Sequence, residues 1–255
     1  MASTPITDPA DALALGGVQI AIALTATLGS AFVRGLAGFG MAILLVPVLA
    51  LALPPVEAVV TANFLSLFIG LSEIRRLVRG AERSAWALCA LVLLTTPAGL
   101  YALAVTTPDI ARLVIALIAL SAFAAILLPR RRAMEHSPVV TGGVGVVSGL
   151  MTGYAGMPGP PVVPYYVGRE LPREVAKASM MLVFTVAGLA GLLSAGAIGV
   201  LELRHAILAL GLFPAVLIGN WLGAKTSGRI SDPVWRSVVG LVLGGAAVAA
   251  VVRLF

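Results

Sequence analysis

Charged residues are so sparse in this chain that they mark the boundaries of its elements. Uncharged runs cover Ala12–Val33, Gly35–Val56, Ala58–Ser72, Ser84–Pro108, Leu113–Pro129, Ser137–Gly168, Ala178–Leu201, Ala206–Ala224 and Ser237–Val252. A helix that crosses a bilayer needs about 20 apolar residues, so most of these runs qualify singly. The shorter ones gain a residue or two from flanking Arg or Glu stems that snorkel to the interface.

One run is too long for a single helix. Ser137–Gly168 has 32 residues. As a straight helix it would rise roughly 48 Å at about 1.5 Å per residue, well beyond a hydrocarbon core of about 30 Å. It also holds eight glycines and five prolines, among them Pro158, Pro160, Pro161 and Pro164, so it must break. The pieces are predicted near 139–154 and 158–168, joined by the turn from Gly156 to Gly159. The second piece is too short to span, which describes a re-entrant or discontinuous helix. Residues 14–34 and 38–53 form the matching pair in the first half. Each half then reads as a broken hairpin and three full spans, near 56–75, 84–106 and 110–129, then near 173–198, 204–224 and 234–254.

The halves match because the segment is present twice. Ser30/Ser148, Gly35/Gly153 and Gly38/Gly156 are each 118 positions apart, and Pro47/Pro164, Pro55/Pro172, Glu57/Glu174 and Pro97/Pro214 are each 117 apart. Gly- and Pro-interrupted apolar segments at corresponding places in two halves point to the binding site of a transporter. The chain divides into a short tail (1–12), a first repeat (13–129), a basic linker (130–137) and a second repeat (138–255). Met1 to Ala12 is polar and acidic and lacks a basic start, so no cleavable signal peptide is expected.

Composition removes the soluble alternatives. Of 255 residues, 60% are hydrophobic and 11% charged, where a soluble domain carries about 25% charged residues. The chain is an all-α polytopic membrane protein with about eight spans counted conventionally. Its net charge of +6 follows from basic residues in short loops under the positive-inside rule, not from nucleic-acid binding. Arg75, Arg76, Arg79 and Arg83 precede one pair of spans and Arg130–Arg132 follow it, which places both loops in the cytoplasm. In the second half the basic side has swapped: the turn at Glu202 and Arg204 is neutral, and the next loop carries Lys225, Arg229 and Arg236. A hairpin plus three spans is an odd number of crossings, so the repeats are expected to be inverted; a parallel four-plus-four arrangement is the competitor.

The blocks Gly35 to Gly40 with Pro47, and Gly153 to Gly156 with Pro164, resemble those of the TauE/SafE sulfite exporter family of anion permeases, over essentially the whole chain. The resemblance implies transport of sulfite, an organosulfonate or a related organic anion across the bacterial inner membrane, usually outward. Within that reading the partners are a small anion and the lipid bilayer. No cofactor is implied, and proton coupling and homo-oligomerisation stay open.

The residues themselves suggest how an anion is held. Free N–H groups at helix N-termini, aided by the helix dipole, are donors for an anion, and glycines admit it to the backbone. Gly35, Gly38, Gly40, Gly153, Gly156 and Gly159 are the candidates for such a cradle; the other reading is that they only let helices pack closely. Arg34 is the sole charge between Ala12 and Val56. An intramembrane charge is a functional hypothesis by default, and a guanidinium forks onto two oxyanion oxygens. Arg34 is alternatively an interfacial anchor at a helix end. Its repeat-mate is the neutral Thr152.

Asn63, Asn220 and Tyr154 join the candidate site, with Thr61, Ser66, Ser179 and Thr185 as weaker polar groups, each otherwise an interhelical hydrogen bond. Glu57 and Glu174 are either proton carriers or first-turn acids favoured by the helix dipole. His136 and His205 are expected in loops on opposite sides. There is no His-x-x-x-His, Cys pair, Gly-x-Ser-x-Gly or Walker A sequence, so neither an enzyme nor a metal site is expected. A permease for a cation or neutral solute and a non-transporting membrane scaffold are the rival functions.

Overall fold

The computed structural model describes residues 16–127 and 137–226, together with 241, 244, 246 and 248–252. Helices α1 (Gly17–Ala37) and α2 (Met41–Ala52) form the first hairpin, followed by α3 (Pro55–Ser72), α4 (Ile74–Gly80), α5 (Arg83–Val105) and α6 (Pro108–Leu127). The second half opens with α7 (Pro138–Ala155) and α8 (Gly159–Val167), then α9 (Arg173–Ala197) and α10 (Leu203–Thr226). Residues 241 and 248–252 are also helical. Five of these helices, α1, α3, α5, α9 and α10, are long and apolar enough to cross a membrane.

Proline and glycine set the boundaries. Pro55 and Pro138 occupy first-turn positions, where their missing N–H has no partner to lose. Gly38 and Gly156, equivalent in the two halves, cap α1 and α7 with φ of 85° and 64°. That left-handed geometry costs a side chain energy, and glycine adopts it freely. Their N–H groups close the last turns on Arg34 O at 2.7 Å and Thr152 O at 2.8 Å.

The two hairpins open toward opposite ends of the bundle. At one end Gln19 Nε2 donates to Ala52 O at 2.8 Å, tying the start of α1 to the end of α2. Arg112 of α6 donates to Ala50 O at 2.6 Å there, and Arg204 at the start of α10 reaches Glu57 at the start of α3. At the other end Thr141 of α7 shares a 2.8 Å hydrogen bond with Tyr165 of α8. Arg169 forks onto Glu82, with 2.7 and 2.9 Å contacts, just before α5. Burial disfavours the Arg169 charge, but the Glu82 hydrogen bond and neighbouring charges outweigh it, and its pKa lies above the ordinary value.

Packing between the halves is reciprocal. The first helix of the first half, α1, packs most extensively on α10; the first helix of the second half, α7, packs most extensively on α5. Glycines permit both approaches: a Cβ on Gly35 would overlap the backbone of Asn220 and Ala224, and one on Gly153 would overlap the backbone of Thr96 and Leu100. Helices α3 and α9 face each other at the centre. Aromatic rings fill the layer beside α3, where Phe68 packs edge-on against Phe213 of α10 with centroids 5.6 Å apart.

Two expectations are corrected. The span near 56–75 ends at Ser72, and a separate helix α4 starts at Ile74. Ser72 Oγ donates back to Ile69 O at 2.7 Å, and the apolar helix stops where Glu73, Arg75 and Arg76 begin a charged stretch that cannot stay in hydrocarbon. His205 lies in the first turn of α10 instead of a loop, 2% exposed, where its Nδ1 accepts the Glu202 N–H at 3.1 Å. That bond supplies an acceptor for a backbone donor left free at the helix start. His136, Arg130–Arg132, Arg229 and Arg236 lie outside the described residues.

Candidate functional site

The hairpin tips approach each other inside the bundle. Gly156, at the second break, sits beside Val46 of α2 and Val59 of α3. Gly159 sits beside Ile43 of α2 and Phe184 of α9. Between the tips is a cavity of about 50 Å³. The first tip contributes Arg34 and the segment from Phe39 to Ile43; the second contributes Met157, Pro158 and Gly159. The remaining walls are Ser66, Ile69 and Gly70 of α3 and Met181, Phe184 and Thr185 of α9.

Arg34 occupies the last turn of α1, where a cation is favoured by the helix dipole. One terminal nitrogen donates to Asn220 Oδ1 at 2.9 Å, and the other approaches Met181 Sδ at 3.3 Å. Among the described residues no carboxylate lies within 4.0 Å of the guanidinium. A guanidinium has five N–H donors, so donors remain for whatever enters the cavity.

The candidate residues separate into four groups. Arg34, Gly40 and Gly159 line the cavity, and Asn220 holds Arg34. Gly38 and Gly156 make the breaks without lining it. Gly35 and Gly153 are sites of helix crossing, so for these two the packing reading describes the geometry. Tyr154 is half-buried against the core and away from the cavity. Asn63 is buried against α9, where Gly188 and Gly191 make room for it, and its Nδ2 has no hydrogen-bond partner. Thr61 is likewise buried with an unpartnered hydroxyl, while Ser179 Oγ accepts the Glu82 N–H at 2.9 Å.

Ser66 and Thr185, the weaker polar candidates, both reach the cavity. Met41, Met157, Met181, Phe39 and Phe184 line it without having been singled out. Met157 could have been found from its place inside the second break; Met181 and Phe184 carry no local signal, since α9 is apolar over most of its length.

The two equivalent acids have different settings. Glu57 is 2% exposed, accepts from Arg204 at 3.0 Å through Oε2 and leaves Oε1 without a partner. Glu174 is 71% exposed and pairs with Arg76 at 2.8 Å. Both lie in the first turn of their helices, as the dipole reading expects, and neither lines the cavity. Among the described residues no group of three or more His, Cys, Asp or Glu is arranged to hold a metal.

The family model described as Sulfite exporter TauE/SafE matches residues 22–250 of this chain. No curated protein and no solved structure matches it.

Proposed function

Because the chain belongs to the sulfite exporter TauE/SafE family, whose members are membrane permeases for small anions, we propose that it carries sulfite or an organosulfonate across the bacterial inner membrane and holds it between the two hairpin tips. Arg34 carries this reading. Among the described residues it is the one cation lining the cavity and has no carboxylate in contact, and it is bonded to a neutral amide and a thioether. A buried guanidinium with no carboxylate in contact keeps donors for an anionic ligand.

The halves 13–129 and 138–255 act as inverted repeats. In support, the hairpins open toward opposite ends, and α1 on α10 mirrors α7 on α5. Transport proceeds by rocking one repeat against the other around the cavity, exposing it to each side in turn. The end that carries Arg75, Arg76, Arg79, Arg83, Arg169, Arg173, Lys177 and Lys225 faces the cytoplasm, since it holds the excess of basic residues. Driving force comes from the substrate gradient or the proton motive force.

Flux of labelled sulfite into liposomes containing the purified protein, with and without a pH gradient, tests the proposal beside Arg34→Ala. Protein-dependent flux that is lost in the variant supports both the permease and the site. Flux that survives the substitution removes Arg34 from the site. If sulfite and a panel of sulfonates and carboxylates all fail to move, the transport reading is rejected.

A further inference from the structure

The two tips facing the cavity are unequal as hydrogen-bond donors. A helix leaves the N–H groups of its first turn without intrahelical acceptors. In α2 these belong to Gly40, Met41, Ala42 and Ile43, and all four residues line the cavity. The corresponding positions of α8 are Pro158, Gly159, Pro160 and Pro161. Proline has no N–H, so Gly159 is the sole donor of that turn.

Charge follows the same asymmetry. Arg34 stands at the first tip, and Thr152 stands at its repeat position in the second. The Thr152 hydroxyl donates to Ser148 O at 2.7 Å, and Ser148 Oγ donates to Pro158 O at 2.9 Å. The polar groups behind the second tip are thus turned onto their own hairpin. The surface left there is made by Met157 and Pro158, with Phe184 of α9 beside Gly159.

We infer that the site takes a small monoanion with one apolar end, its oxyanion head against Arg34 and the start of α2 and its apolar end against Met157, Pro158 and Phe184. The inference rests on the anion-permease reading and narrows its substrate class. One guanidinium balances one negative charge. The cost of taking an ion out of water rises with the square of its charge, and a second negative charge has no second cation on the cavity wall among the described residues. A cavity of about 50 Å³ is of a size for a compact anion. That suits a one-carbon sulfonate, whose methyl group is the apolar end; hydrogen sulfite matches it in charge and in size.

Methanesulfonate and sulfate separate the charge and the apolar end from size, because a methyl group replaces one oxygen and one negative charge at the same number of heavy atoms. Both are offered as labelled solutes to liposomes holding the full-length protein. Methanesulfonate is expected to move at least about tenfold faster than sulfate at equal concentration. Pro160→Ala, and separately Pro161→Ala, adds an N–H to the second tip and is expected to narrow that ratio. Sulfate moving as fast as methanesulfonate overturns the inference and leaves an anion permease standing. A ratio unmoved in both folded variants overturns the role given to the missing donors. Flux of neither solute overturns the inference, and failure of sulfite and of the wider sulfonate and carboxylate panel sinks the permease reading as well.

Discussion

Arg34 and Asn220 are 186 positions apart in the chain, and their side chains meet at 2.9 Å. One belongs to the last turn of α1 and the other to α10, so the bond joins the two halves of the molecule. The amide oxygen fixes one arm of the guanidinium without cancelling its charge. Hydrogen bonds to charged groups contribute about 1.5–3 kcal/mol. Asn220→Ala is therefore expected to raise the KM for anion flux roughly tenfold to a hundredfold. Asn220→Asp places a carboxylate on Arg34 and is expected to abolish flux while the protein stays folded, a result checked by size-exclusion chromatography of the variant in detergent. Full activity in Asn220→Asp would mean that a free positive charge on Arg34 is not needed.

Gly35 and Gly153 should behave as packing residues. A Cβ at Gly35 lies 2.9 Å from Ala224 N and closer still to Asn220 O, both of them backbone atoms that cannot rotate away. Overpacking of this kind costs about 1–3 kcal/mol. Gly35→Ala and Gly153→Ala are expected to lower the Tm in detergent, whereas Gly142→Ala, with nothing within 4 Å of the added carbon, leaves it unchanged or raises it. Wild-type stability in both crossing variants would show that the helices can separate at no cost.

Glu57 and Glu174 stand at equivalent places and should differ in their cost on removal. Glu57 is 2% exposed and its partner Arg204 35% exposed. Removing one partner of a buried pair costs about 3–5 kcal/mol, and the exposure of Arg204, with Glu202 at 2.9 Å, brings Glu57→Ala toward the lower end. Glu174→Ala breaks a surface pair and is expected to cost about 1 kcal/mol or less. Thermal unfolding of the two variants side by side checks this; equal losses would contradict the burial argument.

Sulfite offers a pH test of the monoanion. Hydrogen sulfite gives up its proton near neutrality, so raising the pH at constant total sulfite converts monoanion to dianion. Flux of sulfite, measured with equal pH on both sides of the membrane, is expected to fall as pH rises through that range, while methanesulfonate flux stays level. A sulfite flux that rises with pH would identify the dianion as the carried form.

Much of this architecture is legible in the sequence because it is written in backbone chemistry. The breaks at Gly38 and at Gly156 to Gly159, the half-helices after them and the first-turn prolines depend on residues that restrict or free the chain locally. Arg34 and Asn220 stand out because polar groups are rare at depth. The rest depends on which face a helix turns inward. In a soluble helix a polar stripe answers that question; in α1 and α7 most sides are apolar, so Gly35 and Gly153 read the same whether they line a site or a crossing. Asn63 was as conspicuous as Asn220, but its side of α3 faces Gly188 and Gly191 of α9. The stop at Ser72 was marked by the charges that follow it, whereas the helical setting of His205 turns on a single hydrogen bond that no periodicity encodes.

The exchange of partners between halves also orders the life of the molecule. Synthesis runs from the first residue to the last, so α1 and α2 enter the membrane long before α10 exists to cover them. Until then Gly35 lacks the helix it crosses and Arg34 lacks the amide that holds it. The second hairpin has no such wait, because α5 is already in place when α7 emerges. The walls of the cavity are therefore all synthesised before α10, and what that helix brings is the amide that fixes Arg34 and the surface that Gly35 crosses.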